Sequence, residues 1–206
     1  MSFTADPHRP APVDLSHRHL TGVFAPQRDE VDHNDLHIIG DLPDDLSGSY
    51  LRNGPNPRFD PIGSFVFPLD GDGMVHRVTL DNGRASYSNR FVRTPMVELE
   101  EQHGQAIWSG ITDGYTPPAS VVGEGLAGTT RALPDISIVH HSGRLMAMAE
   151  ADKPYRLDPA TLATLGEEDC DGAMRVGSTA HPTDRYRRSN ATSPAWTKHA
   201  YPAQKV

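Results

Sequence analysis

The sequence predicts an all-β chain laid out as a meander of short strands, and three observations carry that expectation. The 206 residues include 18 glycines and 18 prolines, while apolar residues make up only 36%, a balance that suits a turn-rich β protein better than a helical bundle. Single apolar residues alternate over short stretches, the period-two pattern of half-buried strands. Turn signals recur about every ten residues, the spacing of a sandwich, a barrel or a propeller. No fixed-period repeat selects among the three.

Residues 1–35 read as an extended lead-in, because prolines and scattered charge break any period. From His37 short strands and turns begin: "LHIIGDLPDDLSGSYLRNG" offers an apolar run, a Pro-Asp-Asp turn and a second short strand. "VHRVTLDNGRASYSNRFV" is the clearest hairpin, with Val78 and Leu80 on one arm and Ala85, Tyr87 and Asn89 on the other. Asn82-Gly83 supplies the positive φ angles of a tight turn. "ISIVHHSGRLMAMAE" repeats the design around Ser142-Gly143, and "PYRLDPATLATLGEEDCDG" adds a strand, a Leu-Asp-Pro turn and a short return. Between the hairpins, residues 95–134 form a less regular excursion in which "MVELEEQHGQAIW" has room for a helical turn or two.

Charge bounds the function classes. Net charge is −8, which argues against a nucleic-acid partner. All 27 acidic residues and 14 of the 19 basic ones precede Arg185, so Met1–Asp184 carries −13 and residues 185–206 carry +5. One cysteine, Cys170, excludes an internal disulfide and a multi-cysteine metal site. The polar, proline-rich start lacks the apolar core of a signal peptide, and no run is long enough to span a bilayer. The expected location is the cytoplasm.

Several motifs carry less than their spelling suggests. "GEGLAG", Gly123–Gly128, matches the dinucleotide-binding glycine pattern, but Pro134 leaves no room for the helix that would meet the pyrophosphate. "LDGDGMVH", Leu69–His76, lacks the further oxygen ligands of a calcium loop and reads as a corner before a strand. Of 11 histidines, His8, His17, His19, His33, His37 and His103 sit in polar surroundings and are expected to be solvated. His140 and His141 are adjacent on a strand and face opposite ways. His181 differs, lying between Ser178-Thr179-Ala180 and Pro182; taken alone, a single histidine is more often structural than a ligand.

Longer blocks say more. "GDLPDDLSGSYLRNGPNPRF" (Gly40–Phe59), "FPLDGDGMVHRVTLDNGRASYSNRFVRT" (Phe67–Thr94), "HHSGRLMAMAEADKPYRLDPATLATLG" and "STAHP" occur in order. Together they closely resemble the carotenoid cleavage oxygenase family, whose members include retinal pigment isomerases, apocarotenoid oxygenases and lignostilbene dioxygenases. The resemblance runs from about Leu20 to Asp184. It implies a seven-bladed β-propeller, of which this chain holds about the first two to three blades (residues 36–184). It also implies one Fe(II) held by four histidines, since neutral imidazoles suit that ion and leave positions open for dioxygen. The implied reaction adds dioxygen across a conjugated double bond of a small apolar substrate, giving two carbonyl products. By the Ala-His-Pro match, His181 is the first iron ligand. Glu150 matches a family glutamate that orients a ligating imidazole. Family members also touch membranes peripherally, and Ile107, Trp108 and Ile111 are the candidates for such contact, with core packing as the competing expectation.

The resemblance stops at Asp184. The other three ligands of the family come from later blades, and His199, in "TKHAYPA", does not match one of their motifs. Iron is therefore not expected to be held by this chain alone. The charge switch at the same place suggests a non-native, out-of-frame tail. If one base is restored before codon 185, a permitted codon choice for Arg185–Trp196 reads PVSAKQRYFARL, close to the family continuation. A separately encoded C-terminal half is the alternative source of the missing ligands, and a metal-free binding module is the alternative function.

Overall fold

A computed structural model describes residues 6–150, 152–175 and 177–182. Eight strands fall into two four-stranded antiparallel sheets. The first holds β1 (Asp32–His33), β2 (Gly48–Pro55), β3 (Gly73–Asp81) and β4 (Arg84–Phe91) in the order β1-β4-β3-β2. The second holds β5 (Ser137–His141), β6 (Arg144–Met148), β7 (Tyr155–Leu157) and β8 (Thr164–Glu167) in sequence order. These are two blades of the expected partial propeller, with the edge strands β2 and β5 facing each other.

Local chemistry explains both central hairpins. Asn82 and Gly83 take φ of 49° and 72°, and Ser142 and Gly143 take 49° and 75°; two successive left-handed residues match the twist of the strands they join. The turn fixes the register, pairing Leu80 with Ala85, Val78 with Tyr87 and His76 with Asn89. On β6 the two sets of side chains part company. Leu145 and Ala147 join Val75, Val92, Tyr155, Leu157 and Leu162 in the core shared with the first sheet. Met146 and Met148 face the other way, onto Ala180.

The excursion between the sheets contains α1 (Pro95–His103) and α2 (Ala119–Val122). Thr94 caps α1, accepting from Val97 N at 3.2 Å, Pro95 occupies the first turn, and Gly104 closes the helix at φ 68°. Met96, Ile107, Trp108 and Val122 pack here as a separate apolar cluster. The glycine-rich stretch at Gly123–Gly128 is a run of turns with no helix after it.

Two expectations are corrected. The apolar run Leu36–Ile39 is not a strand, and Ile39 is 93% exposed; apolar content without a pairing partner does not make a strand. His17 and His19 are not solvated, for they are half-buried among aromatic rings, His17 against Phe65 and His19 against Phe24 and Phe67. The reading of 185–206 as a foreign tail falls outside the described residues.

Candidate functional site

The end of β6 and the segment before Pro182 meet on the outer face of the second sheet. Ala180, fully buried, seats against Met146 and Met148, and this contact draws in the backbone that carries His181. Four polar groups then fix that backbone. Glu150, just past β6, accepts the Ala180 N–H at 3.1 Å with one carboxylate oxygen and meets the Thr179 hydroxyl at 3.4 Å with the other. Thr179 Oγ1 accepts the His181 N–H at 3.3 Å. Ser137 Oγ, at the start of β5, donates to the Ala180 carbonyl, and the Asp152 carbonyl accepts the Ser178 N–H at 2.9 Å. Two of the side chains, Glu150 and Ser137, come from the second sheet, and Thr179 belongs to the segment itself.

Both residues singled out in the sequence, His181 and Glu150, are thus brought together. Glu150 holds the backbone before the histidine. The His181 side chain is exposed. The parts played by Ser137 and Thr179 were missed. Only Thr179 had a local signal, a hydroxyl residue two positions before a histidine, a frequent side-chain-to-backbone acceptor.

A metal needs more donors than this. Among the described residues no three of His, Cys, Asp and Glu come together as a metal-binding group. One exposed imidazole does not hold Fe(II) against water. The described residues therefore do not by themselves form the site that the resemblance implies. His76 is a separate matter: its Nδ1 lies 2.7 Å from Tyr87 Oη on the first sheet. Burial, with Arg52 nearby, pushes the His76 pKa down, and burial pushes Tyr87 up.

A buried charge cluster sits where the excursion meets the first sheet. Arg131, whose side chain is only 8% exposed, bridges Asp72 at 2.5 Å and Glu100 at 2.7 Å. Burial opposes its charge, yet the two carboxylates raise its pKa above the ordinary arginine value. Glu100 also accepts Ile107 N and Trp108 N at 2.7 and 3.1 Å, and Asp72 accepts Arg58 N at 2.8 Å. Asp70 accepts Val66 N and Ile111 N, each at 2.7 Å. The aspartates of "LDGDGMVH" are therefore buried anchors for the loop.

Ile107 and Trp108 are each 2% exposed, so they belong to the core and offer nothing to a membrane; Ile111 alone of the three reaches the surface, at 47%. No helix among the described residues is long and apolar enough to cross a membrane.

Residues 24–191 match the family model of the retinal pigment epithelial membrane protein, RPE65. A probable carotenoid cleavage dioxygenase 4 of Arabidopsis thaliana, described as chloroplastic, is 35% identical over 88% of this chain and 33% of its own length. The lignostilbene dioxygenase of Pseudomonas brassicacearum superposes with a TM-score of 0.72 at 28% identity, over 84% of this chain and 35% of that one. Cobalt-substituted apocarotenoid oxygenase of Synechocystis superposes at 0.60 with 28% identity, over 76% of this chain and 33% of that one. The chain spans about a third of the length of these relatives. With matching sequence blocks, matching blades and a family match over most of its residues, the chain belongs to the RPE65 family of carotenoid- and stilbene-cleaving oxygenases.

Proposed function

We propose that these residues form the N-terminal third of an Fe(II)-dependent dioxygenase that cleaves a conjugated carbon–carbon double bond of a carotenoid, apocarotenoid or stilbene. The observation that carries the reading is the Glu150–Ala180 contact, which ties the two family-matched residues into one fixed segment. In this reading Fe(II), when bound, supplies the centre at which dioxygen is activated. His181 is the one ligand these residues contribute, and Ser137, Thr179 and Glu150 hold its backbone in place. The other ligands belong to the remaining two-thirds of the family chain, so the 206 residues on their own bind no iron stoichiometrically and do not turn over.

The test is iron per chain and oxygen uptake with an apocarotenoid and a stilbene, for the 206 residues alone and after co-expression with the remaining part of a family chain. Neither iron nor uptake is expected alone, and both are expected on complementation. His181→Ala should abolish both while the two pieces still co-purify. Uptake that survives His181→Ala would remove the ligand assignment. Full iron in the isolated chain would remove the inactivity.

The charge break at Arg185 supports a further proposal, that the chain passes into out-of-frame translation near there, although the family match itself runs on to residue 191. Sequencing both strands across codon 185 decides it: an extra base restores family-type coding downstream, whereas a confirmed frame with no such coding sinks the idea. A second reading is a metal-free β-rich binding module. It predicts that complementation restores neither iron nor uptake.

A further inference from the structure

The strongest unexplained group in the molecule lies away from His181. Asp135 is 1% exposed, on the link Pro134–Ile136 that leads into β5, and among the described residues its Oδ2 has no hydrogen-bond partner. This link is where the two sheets are joined. Asn53 of β2 donates through Nδ2 to the carbonyls of Pro134 and Ser137, at 2.8 and 3.1 Å. Gly73, at the start of β3, lies so close that a Cβ there would come within 2.2 Å of the Pro134 carbonyl.

Charge around Asp135 is already negative. From the turn before β3 come Asp70 and Asp72, whose charges act on Asp135, while Arg131 of the excursion bridges Asp72 to Glu100 of α1. Arg58 directs its guanidinium to Glu101 and the Arg28 carbonyl. Among the described residues Asp72 and Glu100 share one buried guanidinium and Asp70 is held by backbone N–H groups, so none of these contacts pairs Asp135 with a cation. An ionised carboxylate with an unpaired oxygen is costly in such a place, whereas the protonated acid is not. Burial first, then the charges of Asp72 and Asp70, raise the Asp135 pKa to about 8, against the pull of its own backbone N–H.

We propose that Asp135 is carried as a neutral carboxylic acid and acts as a proton-controlled latch between the two blades, which loosens when the proton leaves. The direction follows from linkage. In the unfolded chain an aspartate has a pKa of about 3.9, so between there and the raised native value the folded state holds the extra proton. Stability contributed by this site is complete below the unfolded value and is lost as pH rises towards about 8.

Chemical unfolding of the 206-residue chain and of Asp135→Asn, from about pH 5 to 7, tests the latch. The folding constant of the unmodified chain should fall relative to the variant by about tenfold per pH unit. Parallel pH profiles for the two chains would overturn the proposal. Should Asp135→Asn not fold, the Asp135 carboxyl carbon followed by NMR in the unmodified chain decides. A midpoint above about 6 supports the latch and one at or below it overturns it.

Discussion

Glu150 reaches forward across 30 positions of sequence to accept the Ala180 N–H at 3.1 Å, one residue before His181. A carboxylate used in this way sets where a histidine begins, because it fixes the peptide plane from which the side chain leaves. Glu150→Ala should free that amide. The loss of this one half-buried bond is worth about 1 kcal/mol, so hydrogen exchange at Ala180 should speed up roughly fivefold. Unchanged exchange would mean that apolar seating of Ala180 alone holds the segment.

Arg131 makes a stronger case. Removing it leaves Asp72 and Glu100 buried and uncompensated, which costs about 3–5 kcal/mol. Arg131→Met should therefore lower the denaturation midpoint steeply or leave the chain insoluble. Arg131→Lys should recover little, since a single ammonium cannot serve both carboxylates with the same planar fork.

Trp108 is buried at 2% exposure and donates Nε1–H to the Thr129 carbonyl at 3.1 Å. Trp108→Ala should destabilise by about 3–5 kcal/mol and leave vesicle binding unchanged, as a flotation assay would report. Reduced flotation at equal stability would return this residue to the surface.

Gly73→Ala forces a methyl against the Pro134 carbonyl. The β2–β3 pairing and the link into β5 cannot both keep their places, and overpacking of this kind costs about 1–3 kcal/mol. Thermal melts compare it with Gly125→Ala, a site with nothing within 4 Å and no positive φ, where little change is expected.

Tyr50 is 66% exposed, and Val78 and Leu80 on the same face of the first sheet are only half-buried. An apolar sheet face of this kind favours association. The 206 residues alone should scatter light increasingly as concentration is raised, so their unfolding is read in dilute solution; scattering that does not rise with concentration would contradict this.

The hairpins were legible because their determinants are local: Asn82-Gly83 and Ser142-Gly143 announce themselves within a few residues of the strands they join. Glu150 and His181 were legible only through family motifs, since nothing within a few residues of either says that the other is near. The buried acids were not legible at all. Asp72 and Arg131 lie 59 positions apart, and "LDGDG" reads as no more than a corner before a strand until the excursion folds over it. Leu36–Ile39 failed in the opposite sense, as an apolar run that finds no strand to pair with.

Ala180 gives the second sheet a consequence beyond packing. The residue that seals Met146 and Met148 is the immediate neighbour of the candidate ligand, so wall and ligand are the same stretch of polypeptide. His181 is delivered by the closing of a blade and does not wait for an ion to gather it. If His181 ligates a metal as proposed, its backbone is fixed by this seating independently of any ion.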